Sequence, residues 1–244
     1  MTRCLLMAIL ALGAAAAFAS AAGYEEDIFP TSKGDLKIAC LGHGTLMLTF
    51  NGKVIHIDPV GQFGDYAALP KADLILVTHE HGDHLDPAAI AKIRKPSTAL
   101  FMTAKCAEKI KDATVMKNGD ERTWEGITVK AVPAYNIVHM RAPGSPFHPK
   151  GEGNGYVLTF GDKRLYIAGD TENIPEMAAL KGVDIVFLPM NMPYTMTPEM
   201  AAAAAKMLAP KVVYPYHYGN TDTAKLVDLL KGEKGIEVRI RALK

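Results

Sequence analysis

Cysteine is scarce in this chain, with 3 among 244 residues, at positions 4, 40 and 106. None of them stands in a Cys-x-x-Cys or comparable spacing, which excludes a cysteine-built metal site. An excess of charge of one sign is also missing, with 27 Lys and Arg against 26 Asp and Glu and a net charge of +1. Without a basic stripe there is no electrostatic footprint for a nucleic-acid backbone as the main partner, so small molecules are the expected ligands. Pro/Ser-rich linkers, charge blocks and repeats of fixed period are absent too, so one domain is expected rather than two. Hydrophobic residues at 49% and charged residues at 22% supply enough apolar material for a sizeable core.

No apolar run reaches the roughly 20 residues that a membrane-spanning helix needs. The nearest is at the amino end, where Met1-Thr2-Arg3-Cys4 leads into an apolar run over 5–18 and then Ala19-Ser20-Ala21. A charged start, a short apolar middle and a small-residue exit mark a secretory signal. The expectation is cleavage after Ala21, leaving a single domain over 22–244 that is secreted or periplasmic and free of the membrane. A retained anchor is the alternative. Cleavage would leave Cys40 in a strand-like run and Cys106 in a helix-like one, where a disulfide and two buried free thiols are both open. Nothing in the pattern sets an oligomeric state.

Strand-type runs come first, over 36–40, 45–50 and 53–58, with Asn51-Gly52 as a two-residue hairpin turn. Residues 73–77 form a nearly continuous apolar strand, the pattern of a strand covered on both faces. Asp86-Pro87 then opens a helix to about residue 94, with aspartate able to cap the free amides and proline acceptable at the first helical position. A strand over 98–102, a helix over 104–111 and strands over 127–132, 155–160 and 164–168 follow, the last pair turned by Gly161-Asp162. The tail alternates a strand over 183–188, a helix over 198–208, a strand over 212–214, a helix over 223–230 and a strand over 236–240. Such interleaving implies sheets with helices packed outside.

The strand over 73–77 runs straight into Thr78-His79-Glu80-His81-Gly82-Asp83-His84. Three imidazoles and a carboxylate within six residues have no packing rationale, whereas a lone histidine there would read as a helix cap. His79 and His81 alternate onto one side of an extended segment while Asp83 and His84 enter from the following turn, so two adjacent metal positions can be served. Imidazole and carboxylate suit Zn2+, and Mn2+ and Fe accept the same donors.

This segment resembles the metallo-β-lactamase superfamily signature, and Ala168-Gly169-Asp170-Thr171 and Pro215-Tyr216-His217 are similar to its later metal-binding motifs. Leu41-Gly42-His43-Gly44, Ile57-Asp58-Pro59 and Tyr194-Thr195-Met196 resemble, in their order, the branch of ascorbate-6-phosphate lactonase-like hydrolases. The resemblance implies an α/β fold, a four-layer αββα sandwich with the site at one edge between the sheets. It implies two divalent ions, one held by His79, His81 and a third histidine, the other by Asp83, His84 and His217, with Asp170 bridging. The third histidine is His148 or His139. His148, in Phe147-His148-Pro149-Lys150-Gly151, resembles that of a sub-branch carrying a Pro-Ala-Tyr-Asn segment and is preferred.

His43 is either a near-site histidine or a structural one. Asp58 ends a strand beside the cluster and can orient a ligand imidazole through its second nitrogen. By strand parity His56 shares a face with Asp58, but it lies earlier in the strand and is read as structural. Tyr194 is a loop tyrosine able to hydrogen-bond a substrate oxyanion, and Lys150 and Lys206 read as solvated. Two bridged metals would lower the pKa of a shared water from about 15.7 toward about 7, with Asp83 or Asp170 accepting its proton. The expected activity is hydrolysis of a lactone, ester, thioester or phosphodiester. The alternatives are a di-iron oxidoreductase of the same fold, which would need an electron-carrier domain, and a catalytically silent metal-binding periplasmic protein.

Overall fold

A computed structural model describes Ala21 and residues 23–244; the signal-like run up to residue 20 lies outside the described residues. The first sheet holds β1 (Glu25–Thr31), β2 (Gly34–Gly42), β3 (Thr45–Phe50), β4 (Lys53–Ile57), β5 (Leu74–Val77), β6 (Ala99–Met102) and β7 (Thr114–Val115), in chain order. Its first four strands run antiparallel and its last four parallel, β4 belonging to both groups. The second half of the chain contains β8 (Glu121–Trp124), β9 (Ile127–Ala134), a small hairpin of β10 (Met140–Ala142) and β11 (Ser145–Pro146), β12 (Gly153–Phe160), β13 (Lys163–Ile167), β14 (Ile185–Pro189), β15 (Val212–Tyr216) and β16 (Glu237–Val238). Apart from the hairpin these form a second sheet, antiparallel from β8 through β13 and parallel from β13 to β16.

The inner faces of the two sheets meet in one apolar layer that includes Ile38, Leu48, Leu74 and Leu76 from the first sheet and Val129, Leu158, Ile167 and Phe187 from the second. Ile75 and Val77 alternate to the other face, under α1 (Pro87–Ile93) and α2 (Ala104–Lys109). This two-sided burial is what the continuous apolar run of β5 requires. On the far side α3 (Pro198–Leu208) and α4 (Ala224–Leu230) cover Val186, Leu188 and Val213. The result is the αββα order of layers. Asp86 caps α1, accepting from the amides of Ala88 and Ala89 with Pro87 at the helix start.

Two differences from the sequence reading have a common cause. β1 and β8 are not visible as periodic apolar runs, and both are edge strands, with polar and half-exposed patterns and, in β1, Pro30. An edge strand has no second neighbour to demand burial, and its proline costs no ladder bond. Cys40 lies between the sheets and Cys106 lies on α2, facing the outer side of the first sheet, so that sheet separates them and both are free thiols among the described residues. Among the described residues no helix is long and apolar enough to cross a membrane.

Candidate metal centre

Parallel strands deliver their carboxyl ends to one edge of the sandwich, the place where open α/β sheets bind ligands. Asp58 follows β4, the histidine cluster follows β5, Asp170 follows β13, Asn191 follows β14 and His217 follows β15. Close backbone approach holds these loops together. The amide of Asn154 donates to Thr78 O at 2.9 Å, joining the two sheets beside the cluster. Gly169 has φ +66°, and a Cβ there would stand 2.7 Å from Asn154 O, so the Gly-Asp step requires glycine. His43, Asp58 and His217 also adopt positive φ, of 53°, 44° and 46°. Non-glycine residues held in this region cluster at functional sites.

Two sets of donors converge. His79 Nε2 and His81 Nδ1 lie 3.1 Å apart, and with His148 they place ligand atoms within 4.8 Å of one another. His43, Asp83, His84 and His217 form a second set by the same measure, and His79, His84 and Asp170 a third that overlaps both. The Asp170 carboxylate lies between them. Its Oδ2 is 3.2 Å from His148 Nε2, 3.8 Å from His79 Nε2 and 3.5 Å from His217 Nε2, and its Oδ1 is 3.4 Å from His84 Nε2. The structure therefore brings His148 to the cluster. His139 is elsewhere, its Nδ1 2.8 Å from Glu172.

The chemistry of this donor set fits cations. Among the described residues His84 Nε2, Asp170 Oδ1 and His217 Nε2 are buried without a hydrogen-bond partner, a loss of roughly 1–3 kcal/mol per group unless something else satisfies them. All three atoms belong to residues of the second and third donor sets, which share His84. Burial, together with the charges of neighbouring histidines, lowers His79 and His81, so both are neutral donors. Burial would raise Asp170, but His217, His84, His148 and His79 overcome it and hold the carboxyl well below its usual range. Neutral imidazoles and ionised carboxylates are the forms that bind metal.

The second nitrogens are fixed by a surrounding set of residues. Asp58 is fully buried; its Oδ1 accepts from Thr78 N at 2.7 Å, and its Oδ2 accepts from Thr78 Oγ1 at 2.6 Å and from His84 Nδ1 at 2.8 Å. Because the Thr78 hydroxyl donates to Asp58, it can accept from His79 Nδ1, 3.0 Å away, which leaves His79 Nε2 free to ligate. Asn136 Oδ1 accepts from both His148 N at 2.8 Å and His148 Nδ1 at 2.7 Å. Asn136 is itself held by Glu172, whose Oε1 accepts from its Nδ2 at 3.1 Å. Burial would raise Glu172, but the amides of His139, Val138 and Ile137 and the Asn136 side chain outweigh it and lower the carboxyl.

Strand parity misleads at Asp58. His56 points to the outer face, where it is buried and hydrogen-bonds Pro70 O at 3.0 Å, whereas the positive φ of Asp58 ends the strand and turns its carboxylate to the cluster. His43 stacks on Phe63 and puts its Nε2 3.3 Å from Asp83 Oδ2. Tyr194 is 43% exposed and lines a cleft of about 620 Å³ together with His81, Asp83, His148, Asp170 and His217. Lys150 and Lys206 are not simply solvated; they pair with Glu176 at 2.7 Å and Glu233 at 2.9 Å.

A family profile described as "Beta-lactamase superfamily domain" matches residues 37–217, a span that runs from β2 to the last histidine of the cluster. The chain belongs to the beta-lactamase superfamily. Within it, the chain is a member of the UPF0173 metal-dependent hydrolases. A UPF0173 metal-dependent hydrolase of Pelotomaculum thermopropionicum is 31% identical over 223 residues, covering 84% of this chain and 96% of that protein. A solved structure from Parabacteroides distasonis, assigned as a metal-dependent hydrolase, shares 49% identity at a TM-score of 0.86, covering 91% of this chain and all of that one. CmlA, a diiron β-hydroxylase from Streptomyces venezuelae, is alike in fold alone, with 19% identity and a TM-score of 0.69 over 88% of this chain and 54% of that one.

In this superfamily member, Thr78 and Glu172 were given no role by the sequence, and Asn136 entered only as the end of the Pro-Ala-Tyr-Asn segment. Thr78 opens the histidine segment and Glu172 follows the Gly169-Asp170 motif, so adjacency to a ligand run was the available signal. Phe147, which also lines the cleft, had the same signal as the neighbour of His148, whereas Arg141 and Asn191 carry none comparable.

Proposed function

We propose that this chain is a dinuclear hydrolase that cleaves a lactone, ester, thioester or phosphodiester of a small molecule, with Zn2+ as the metal. The reading rests chiefly on one observation, the single buried carboxylate of Asp170 shared by two donor sets at the floor of an open cleft. His79, His81 and His148 would hold one ion, and Asp83, His84 and His217 the other. When bound, divalent ions supply Lewis acidity and a water of lowered pKa.

The chain's own residues do the rest. Asp83 is half-exposed to the cleft and 3.3 Å from His43 Nε2, placed to take the proton of the attacking water and hand it on to that imidazole. Tyr194 stands at the rim and can donate to a developing oxyanion. Asp58 and Asn136 keep the ligand imidazoles in their binding tautomers. The likeness of Leu41-Gly42-His43-Gly44 and Ile57-Asp58-Pro59 to lactonase-like hydrolases supports a lactone among the substrates, and the signal-like run over 1–21 supports a secreted or periplasmic enzyme.

Elemental analysis of purified protein and of Asp170→Ala, with lactone, ester and phosphodiester probes run on both, tests the reading. The expected result is about two zinc equivalents per chain, with metal and hydrolysis both reduced in the variant. No bound metal and no hydrolysis after zinc or manganese addition would sink it, and iron with no hydrolysis would favour the di-iron alternative.

A further inference from the structure

The hairpin that leads into His148 also carries a cation to the cleft. β10 and β11 pair Met140 with Pro146 and Ala142 with Ser145, and the chain turns between them through Gly144 at φ +75°. This places the guanidinium carbon of Arg141 5.8 Å from the centroid of the Phe147 ring, and Phe147 in turn meets Tyr194 edge-on at 5.0 Å. All three line the same cleft as His148, Asp170 and His217. Arg94 pairs with Asp112, and Arg239 and Arg241 pair with Asp27, whereas Arg122 and Arg164 have no such partner among the described residues and line no part of this cleft. Among the described residues no carboxylate lies within ion-pair distance of Arg141.

A guanidinium held over an aromatic face still presents its edge donors, and its planar fork matches a carboxylate or phosphate. Asn191 adds an amide in the same cleft, its side chain lying so close over Gly219 that a Cβ there would stand 2.6 Å from Asn191 Oδ1. The floor of the cleft is then set for the scissile group and the hairpin side for a negative charge. Phe147 and Tyr194 supply apolar wall between them.

We propose that Arg141 is the specificity residue of this site: it binds a carboxylate or phosphate of the substrate, joined through a short apolar chain along Phe147 and Tyr194 to the bond that is cleaved. This rests on the hydrolase reading above. The pairing of metal cluster and guanidinium selects anionic esters or lactones over neutral ones of the same skeleton.

The test compares the p-nitrophenyl monoester of glutarate with the same compound bearing a methyl ester on its free acid, using metal-loaded protein. Since a hydrogen bond to a charged group contributes about 1.5–3 kcal/mol, KM for the charged ester is expected to be lower by about tenfold or more. In Arg141→Gln that difference should shrink to within about twofold, with partial recovery in Arg141→Lys. The corresponding phosphonate ester separates the two anions, the lower KM naming the preferred group. An undiminished KM difference in Arg141→Gln overturns the proposal. If wild type hydrolyses neither ester, the hydrolase reading fails for this class, and calorimetric binding of glutarate and of 4-phosphonobutyrate decides the anion site separately. Weakening by about tenfold or more in Arg141→Gln supports it, while equal binding, or none to wild type, overturns it.

Discussion

Replacing Asp58 with asparagine tests whether the residues behind the proposed ligands, and not only those ligands, create the proposed metal centre. The wild-type carboxylate accepts three hydrogen bonds, from Thr78 N, Thr78 Oγ1 and His84 Nδ1, at 2.6–2.8 Å and without solvent exposure. An asparagine that keeps its Oδ1 on the Thr78 amide turns an NH2 toward the Thr78 hydroxyl and His84 Nδ1. His84 must then accept at Nδ1 and carry its proton on Nε2, the atom 3.4 Å from Asp170 Oδ1. A protonated Nε2 cannot ligate.

Loss of such an orienting partner costs roughly 10–100-fold in metal affinity, about 1.4–2.8 kcal/mol of binding free energy. The frustrated buried hydrogen bonds should also destabilise the metal-free protein by about 1–3 kcal/mol. Competition with a chromogenic zinc chelator measures the first quantity, and urea unfolding without metal the second. A variant that holds zinc within about twofold of wild type would refute the claim that Asp58 selects the His84 tautomer, whatever happens to stability.

Three further outcomes are expected. Gly44→Ala places a Cβ 2.9 Å from His84 Cε1 and 3.2 Å from its Nδ1, and should destabilise by about 1–3 kcal/mol and weaken zinc binding; unchanged affinity in the chelator competition counts against it. In the metal-free protein burial lowers His84, but Asp170, Asp58 and Asp83 overcome this and push it up to about 9 from 6.5, so its stabilising charge is present below about 6.5 and lost as pH rises through about 9. Zinc must displace that proton, so apparent affinity should rise about tenfold per pH unit between about 7 and 9, and a flat profile refutes this. Burial pushes the Cys40 and Cys106 thiols up to about 12, so neither should react with an aromatic disulfide reagent until the protein is unfolded; rapid labelling of either in the native state contradicts the packing.

Much of the site is local in the chain, and that part was legible. His79, His81, Asp83 and His84 fall within one turn after β5, and the chemistry of four donors at that spacing needs no knowledge of what lies opposite. α1 was readable because Asp86-Pro87 is a cap whose partners are the next few amides. β5 was readable because its two faces are both buried. The edge strands β1 and β8 were not, since nothing on one side of them constrains composition.

The sequence by itself determined the alternation of strands and helices, the donor-rich segment after β5 and the glycines that permit close approach. Only the tertiary structure decided which distant residues complete it. His148 rather than His139 reaches Asp170 because Asn136 binds both the backbone and the ring of His148, while Glu172 draws His139 aside. Asp58 serves His84 across 26 residues because β4 and β5 run parallel and a positive φ turns its carboxylate inward. Tautomer, proton affinity and the convergence of the donor sets all depend on atoms a few ångströms apart that lie tens of residues apart along the chain, and sequence spacing carries no information about such distances until the two sheets have packed.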